Sequence, residues 1–332
     1  MGRVVAEGSS RPGRASQALG PVARFLLGRA AQAVVVLWGA ATLSFAALHL
    51  LPGDPVSTLL GPMVTVTPQV RARIVADYQL DRPLAVQYAG YLRRLFTGDL
   101  GTSYQQQLPV RAVIGQQLGA TVQLALAAAL LGGALALAAA LLTSGHDGPV
   151  RRLVESAELL AVSTPTFWLG ILLLTLFSFH WKLFPVAGAD GPAALVLPAA
   201  TLAVPMAGLL SQVLRSGLDA ALEEPFVLAA RARGLGGFAV RARHALRHAL
   251  IPAITLGGWL FGGLLGGTVL VETVFARPGL GRIAVTAIDA KDMPVVLGVV
   301  LLSAAGFVVV NTAVDLLYAA VDPRLRAGSV RS

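Results

Sequence analysis

The sequence predicts an all-α membrane protein with six transmembrane helices, from its composition and from the spacing of its charges. Of the 332 residues, 55% are hydrophobic and only 13% are charged, whereas soluble domains carry about 25% charged residues. Six windows contain no Lys, Arg or Glu, and each is long enough to cross a bilayer core about 30 Å thick with ~20 helical residues. These windows are 30–51, 112–144, 159–180, 193–214, 249–271 and 293–320.

The same composition excludes several classes of enzyme. So few charges cannot cover the surface of a soluble protein. The absence of cysteine excludes disulfide scaffolds, iron–sulfur clusters, thiol nucleophiles and cysteine zinc sites. The two lysines, Lys182 and Lys291, lack the glycine-rich lead-in of a phosphate-binding loop. We therefore expect no catalytic residue, metal ligand or cofactor in this chain, and no site at which it binds ATP by itself.

The distribution of basic residues predicts the orientation in the membrane. With both termini in the cytosol, the inner segments carry 16 Lys and Arg in 89 residues and the outer segments carry 10 in 93. The chain then divides into a cytosolic tail (1–29), a first span (30–51), an external loop (52–111), a five-span core (112–320) and a second cytosolic tail (321–332). This topology explains the net charge of +9, so no nucleic-acid partner is expected.

The external loop 52–111 is expected to form two short amphipathic helices. Thr67 and Pro68 supply an N-cap hydroxyl followed by proline at the first helical position. After a break at 81–83, apolar residues on one side predict a second helix over 84–96. These helices would lie on the outer membrane face, where they can cap the bundle, offer a docking surface to an external partner, or do both.

The spans themselves carry three further signals. Prolines in and before the fourth span predict a helix broken near mid-membrane, and overlapping Gly-x-x-x-Gly pairs in the fifth predict close helix contact. The prolines are Pro192, Pro198 and Pro205, and the glycines are Gly262, Gly263, Gly266 and Gly267. Within the six apolar windows, ionisable residues occur only near the ends, where their side chains reach the membrane interface at a low free-energy cost. They are His49, His180 and Asp315.

The inner loop 220–252 has clear helix punctuation. Two glutamates and Pro225 suit the start of a helix, and Gly234 stands where a left-handed C-cap is expected. A short helix over 226–233 is therefore predicted, followed by a hinge at 234–237 and a second, basic helix. Two histidines in that second helix have the i, i+4 spacing of metal ligands, but the surrounding arginines favour a cationic face near lipid headgroups.

In this inner loop the chain resembles the permease subunits of ABC importers. The stretch 229–234, Ala-Ala-Arg-Ala-Arg-Gly, is similar to their EAA motif, with Leu228 in place of the motif glutamate. The following Arg-His-Ala-Leu-Arg-His-Ala-Leu-Ile-Pro resembles the continuation found in the dipeptide, oligopeptide and nickel group. Other segments similar to this group are 51–55, 271–275, 278–282 and 311–324. The Pro-Gly-Asp-Pro of the first of these, with Tyr318, indicates a B-type subunit rather than its C-type partner.

The resemblance implies a type I ABC-importer permease fold in a bacterial inner membrane. It implies a second, C-type permease subunit, two ATP-binding subunits that hold ATP and Mg, and an external solute-binding protein. In this family a short cytosolic helix sits in a groove of the ATPase. The positions that carry this ATPase-coupling role onto the present chain are Ala229, Ala230, Arg231, Arg233 and Gly234.

Two alternatives remain at this stage. An ATP-independent carrier or channel would show an internal repeat or membrane-buried charges, and the sequence shows neither. An intramembrane hydrolase would need its nucleophile inside a span, whereas the Gly-Thr-Ser-Tyr at 101–104 lies in the external loop. The resemblance implies that the solute is a dipeptide, an oligopeptide, a nickel chelate or a related molecule. Peptides are favoured because the chain has no His-rich or Cys-rich tract.

Overall fold

The computed structural model describes residues 21–50, 56, 67–103 and 105–321. The predicted C-terminal tail after 321, the first twenty residues of the N-terminal tail and the motif at 51–55 lie outside the described residues.

The described part of the chain is almost entirely helical. Its helices are α1 Pro21–Leu50, α2 Pro68–Tyr78, α3 Leu84–Phe96, α4 Val110–Thr143, α5 Pro149–Ser163, α6 Thr166–Leu173, α7 Ala193–Leu222, α8 Pro225–Ala232, α9 Gly237–Val240, α10 Leu246–Val274, α11 Leu280–Asp289 and α12 Met293–Val321. A π-helical turn, Leu174–His180, extends α6, and another, Arg241–Ala245, joins α9 to α10. Strands β1 Thr102–Ser103 and β2 Leu108–Pro109 form a small antiparallel hairpin.

The all-α membrane class is confirmed, with four to six candidate spans in the described residues. Stretches of α1, α4, α7 and α12 are each long and apolar enough to cross a bilayer. Two bent pairs bring the number to six: α5 with α6, which meet at 108°, and the two halves of the α9–α10 segment, which meet at 51°. The first bend divides the predicted window 159–180, because Pro165 holds Thr164 in an extended conformation (φ −83°, ψ 125°) that ends α5.

The predicted break in the fourth span is wrong. Helix α7 runs without interruption through Pro198 and Pro205, and Pro192 lies just before its first turn. Each internal proline removes one backbone donor, but α7 packs against α4 and α10 along its length. That packing supplies more stabilisation than the two missing hydrogen bonds would, so the helix continues.

The buried core includes two clusters stacked along the bundle, besides a third between α4, α11 and α12 and a small one at α8. We call the end of the bundle that carries α8 the inner end and the end that carries α3 and the β-hairpin the outer end. The outer cluster contains Leu124, Ala128, Leu197, Ala199, Leu202, Met206, Leu264, Val271 and Phe275. The inner cluster contains Ala136, Ala140, Leu210, Leu214, Leu218, Ala221, Ala245, Ala249 and Ala253. Small residues dominate the inner cluster, so its helices approach each other closely.

Several glycines outside the predicted Gly-x-x-x-Gly pairs make closer helix contacts than those pairs do, and Gly217 is one of them. A Cβ built on Gly217 of α7 would lie 2.9 Å from the Cα of Ala249 in α10, which is closer than real Cβ atoms come. Of the predicted glycines, Gly262 faces Phe307 at 3.3 Å, whereas a Cβ on Gly263 would meet nothing within 4 Å. The sequence motif therefore marked the right helix but not its tightest contacts.

The outer hairpin is tied to the start of α12 by a buried polar pair. The Ser103 hydroxyl donates to Asp292 Oδ2, and the Gln106 backbone N–H donates to Ser103 Oγ at 3.0 Å. Both Ser103 and Asp292 are buried. Burial raises the pKa of the Asp292 carboxyl, and the hydrogen bond from Ser103 only partly opposes that shift. The hydroxyl of Ser103, the serine of the Gly-Thr-Ser-Tyr in the external loop, thus holds the hairpin.

We predict that Gly217→Ala destabilises the protein by about 1–3 kcal/mol, because the new methyl overpacks a backbone-to-backbone contact. Gly263→Ala is the matched control in a helix interior with open space beside it, and it should be neutral or slightly stabilising. Thermal unfolding in detergent measures both. Equal midpoints for the two variants would contradict the close α7–α10 contact.

We also predict a pH signature for Asp292. A raised pKa means that the folded protein binds the proton more readily than the unfolded chain does, so stability should rise as the pH falls from neutral towards the folded-state pKa. Asp292→Asn should remove this slope while keeping an acceptor for Ser103. Unfolding midpoints between pH 7 and pH 5 test the prediction, and parallel curves for the two proteins would contradict it.

Candidate functional site

The short helix α8 is held by well-defined ends. Pro225 occupies its first turn, and Gly234 lies just beyond its end with φ +82°. The Gly234 N–H donates to the Arg231 carbonyl at 2.9 Å and the Leu235 N–H to the Ala230 carbonyl at 3.3 Å. This pair of bonds is a Schellman C-cap, which requires the left-handed conformation that glycine adopts without strain. The predicted helix and its glycine cap are confirmed.

One face of α8 is buried against the rest of the chain. Val227 and Ala230 are buried and pack with Val240 of α9, and the surrounding side chains of Leu222, Phe226 and Leu235 cover them. Leu235 therefore supplies the hydrophobic contact that usually accompanies this type of cap. Through this small cluster α8 is fixed to the end of α7 and to α9.

The structure separates the five predicted coupling residues into two groups. Ala230 has no exposed surface, so it mounts α8 instead of reaching a partner directly. The other four are exposed: Ala229, Arg231, Arg233 and Gly234. Leu228 lies on the same exposed side with 75% of its surface open to solvent. Leu228 stands out in the sequence as the apolar departure from the motif glutamate, but only the burial pattern shows that it is exposed.

The basic segment after α8 packs through ring and guanidinium contacts. Phe226 of α8 stacks on His248 of α10 with ring centroids 5.2 Å apart. Arg247 Nε donates to His248 Nε2 at 3.2 Å, so that ring nitrogen is an acceptor already in use. Of the i, i+4 pair of His244 and His248, His248 thus contributes to the attachment of α8.

At the inner end of the bundle, a buried ion pair joins three helices. Arg215 of α7 and Glu158 of α5 are 4% and 6% exposed, and the guanidinium donates to both carboxylate oxygens. Glu158 also accepts from Ser211 at 2.7 Å, and Arg215 donates to Thr143 of α4 at 3.2 Å. Both carboxylate oxygens and both terminal guanidinium nitrogens are hydrogen-bonded, and such bonding offsets the cost of burying the two charges.

A second, more exposed set of charges continues this network to the turn between α4 and α5. Arg151 pairs with Glu155 at 2.8 Å and with Asp219 of α7 at 3.1 Å, and Asp219 also accepts the backbone N–H of Gly145 at 2.8 Å. The sequence windows missed the first part of α5, residues 149–158, because its charges excluded it. In the structure Glu158 is buried and Arg151 and Glu155 are partly covered by their partners, whereas several apolar side chains face outward: Val150, Leu153, Leu159 and Leu160.

At the outer end, another buried carboxylate organises the turn between α10 and α11. Glu272 accepts the hydroxyl of Thr121 at 2.6 Å and the backbone N–H groups of Gly281 and Arg282 at 2.8 and 3.1 Å. The carboxylate therefore satisfies the first turn of α11 and balances its dipole. A Cβ on Gly279 would lie 2.1 Å from the carboxyl carbon of Glu272, so only glycine allows this approach.

Two family profiles together match nearly all of the described chain. The profile described as the binding-protein-dependent transport system inner membrane component matches residues 130–327, and the profile for the N-terminal part of such membrane components matches residues 22–125. The chain belongs to the binding-protein-dependent transport permeases. The resemblance inferred from the motifs is confirmed, and this permease is a multi-pass inner-membrane subunit of an ABC importer. ATP is bound by partner subunits, and a solute-binding protein is a further partner.

Individual relatives agree with the family profiles. A putative peptide transport system permease of Brucella abortus (strain 2308) is 39% identical over 313 residues, which cover 91% of this chain and 98% of the relative. A glutathione transport system permease of Salmonella typhimurium (strain LT2) is 38% identical over 290 residues, which cover 86% and 93%. The inward-facing methionine ABC transporter shares the fold with a TM-score of 0.51 at 20% identity, covering 63% of this permease and 96% of that chain.

We predict that Glu158→Leu costs this permease about 3–5 kcal/mol, because it leaves the Arg215 guanidinium buried and unpaired. Reversing the pair, Glu158→Arg with Arg215→Glu, should recover part of the loss. Arg151→Gln is the control at a half-exposed pair and should cost at most about 1 kcal/mol. Thermal unfolding in detergent ranks the variants. A Glu158→Leu protein as stable as the parent would refute a stabilising role for the pair.

Proposed function

We propose that this permease is the B-type subunit of a peptide importer. It forms the translocation path with a C-type permease subunit, and two ATP-binding subunits at its inner end drive the cycle. An external solute-binding protein delivers the solute to the outer end, where 52–111 provides a docking surface. The inner end, with 220–252, faces the cytosol, as the distribution of basic residues predicts.

The exposed face of α8 is the observation that carries this proposal. A helix of eight residues presents Leu228 and small or basic side chains outward, while its other face is fixed to the bundle through Val227 and Ala230. An apolar side chain that is 75% exposed on such a firmly mounted helix is suited to bury against a partner surface. Its place at one end of the bundle fits the groove of an ATP-binding subunit.

The arginines of α8 would guide that contact. Arg231 and Arg233 are exposed, and Arg233 Nε donates to the Ala229 carbonyl at 3.2 Å, which orients its side chain along the helix. Acidic residues around the partner groove would therefore raise the rate and the specificity of association more than the affinity.

The attachment of α8 supports its use as a lever. When the two ATP-binding subunits close, a bound α8 moves with them, and its packing on α7 and α9 carries the displacement into the bundle. The ion pair between Arg215 and Glu158 joins α7 to α5, so both helices would move together. A nucleotide-dependent change of this kind requires that the partner binds the inward-open and outward-open states with different affinity.

The solute is assigned to the peptides on two grounds. The relatives named above are described as peptide and glutathione permeases, and glutathione is itself a peptide. The chain contains no cysteine and only five histidines, so a thiolate- or imidazole-rich site for a nickel chelate has few ligands to draw on.

Co-reconstitution tests the proposed function. The permease, its C-type partner, the ATP-binding subunits and the binding protein are placed in liposomes, and uptake of labelled short peptides is measured with ATP and with a non-hydrolysable analogue. ATP-dependent uptake that requires the binding protein supports the proposal. Equal uptake without ATP would instead identify an ATP-independent carrier or channel.

We predict that Leu228→Asp and Gly234→Asp leave membrane insertion unchanged and lower ATP-driven uptake about tenfold or more, the loss expected when ~1.4 kcal/mol of contact is removed. Leu228→Asp places a charge in the contact, and Gly234→Asp adds a charge and strains the left-handed cap. Leu183→Asp, at a 63% exposed leucine near the outer end, is the matched control and should retain uptake. Normal uptake by both α8 variants would overturn this assignment of the coupling helix.

A further inference from the structure

The outer end of the bundle contains a buried cation whose hydrogen bonds are incomplete. Arg277, in the turn between α10 and α11, has only 1% of its surface exposed and is the largest fully buried side chain in the described residues. Its Nη2 donates to Gln123 Oε1 of α4 at 2.9 Å. Its Nε and Nη1 are buried and find no acceptor anywhere in the part of the chain that the structure describes. A guanidinium has five N–H donors, and three of them belong to these two nitrogens.

The carboxylate of Glu272 does not complete this site. Glu272 acts on Arg277 through its charge, but its oxygens are taken by Thr121 and by the backbone N–H groups of Gly281 and Arg282. Glu272 thus helps to keep the cation in the fold without occupying its free donors. An additional oxyanion would be matched both in charge and in hydrogen bonds.

A polar strip on α4 leads to this cation. Gln116 and Gln123 are both exposed and lie two helical turns apart, with the exposed Gly119 between them. A Cβ built on Gly119 would meet nothing within 4 Å, so the surface between the two amides is open. The strip lies in the outer part of α4, which at 34 residues is about 51 Å long and therefore extends beyond a bilayer core of about 30 Å.

We propose that Arg277 binds the carboxylate of the transported solute at the outer mouth of the permease. Without solute, the amide oxygen of Gln123 accepts the hydrogen bond from Arg277 that a carboxylate oxygen of the solute would accept. Rotation of the exposed Gln123 side chain uncovers the guanidinium. The amides of Gln116 and Gln123 then face the peptide groups of the solute. This inference rests on the proposed function and names the chemical group by which a peptide is recognised.

The burial of Arg277 favours a small ligand over a docked protein. A protein surface contacts side chains that project from its partner, whereas this guanidinium lies beneath Gln123 with almost no exposed area. A flexible peptide end can enter such a position once one side chain has moved. A side chain of the binding protein, or one from the second permease, is the competing occupant and is distinguished by the experiment.

The experiment compares trialanine with trialanine amide in the reconstituted importer, with the binding protein at saturating concentration. We expect Arg277→Gln to lower the ratio of free-acid uptake to amide uptake about tenfold relative to the parent protein, the loss expected from removing ~1.4 kcal/mol of recognition. Arg277→Lys keeps the charge but not the planar donor set, so its ratio should lie between that of the parent protein and that of Arg277→Gln. Arg282→Gln is the matched control on the same turn, since its guanidinium is bonded to the Ala276 carbonyl and its residue is exposed.

Every result decides the inference. An unchanged ratio in Arg277→Gln and Arg277→Lys overturns it. An equal loss for acid and amide also overturns it and assigns Arg277 a structural role, or a role in contact with the second permease. A defect that is equal for both peptides and appears only below saturation of the binding protein overturns it in favour of a docking contact. If Arg277→Gln fails to insert, the Arg277→Lys ratio decides. If the parent protein accumulates neither peptide, the proposed peptide transport itself fails.

Discussion

The buried ion pair between Arg215 and Glu158 is the interaction on which the inner half of this permease depends. A charge in an apolar bundle is tolerated only when its partners are in place, so the pair fixes the relative positions of α5 and α7, and the Thr143 contact adds α4. The inner cluster that surrounds these helices consists largely of alanines and leucines, which specify little about register by themselves. The ion pair supplies the directional contact that a core of small apolar side chains lacks.

The same principle applies at the outer end, where Glu272 satisfies the first turn of α11 and Asp292 holds the β-hairpin against α12. In each case a carboxylate lies at a helix end and accepts hydrogen bonds from groups that a bilayer could not satisfy. The chain therefore places its few buried charges at the two ends of the bundle. Between these ends the helices pack largely through alanine, glycine and leucine. When helices slide or tilt on such an apolar surface, few hydrogen bonds or ion pairs have to break.

This division of labour fits the motion that an importer needs. Helix α8 is fixed to the bundle by a small apolar cluster and a glycine cap, so a displacement at its exposed face moves the ends of α7 and α9 with it. The charged network next to α8 extends that rigid unit to α5. The solute mouth, in contrast, combines an incompletely bonded guanidinium with an exposed amide, which is an arrangement that can change partners.

The sequence by itself determined the membrane class, the helical punctuation of the α8 loop and the family. These features depend on local composition, on the stereochemistry of proline and glycine and on short motifs. All three can be recognised from residues that are close together in the sequence. The start of α2 at Pro68, the bounds of α3 and the left-handed Gly234 all follow from such local rules.

Only the tertiary structure decided which residues face inward. It showed that α7 continues through two prolines, that Ala230 is buried while Leu228 is exposed, and that Glu158 of α5 is internal. The physical reason is that each of these outcomes depends on a neighbour distant in sequence: α4 and α10 for the prolines, α9 for Ala230, and α7 for Glu158. A one-dimensional pattern records that a residue is polar, but not which distant group satisfies it.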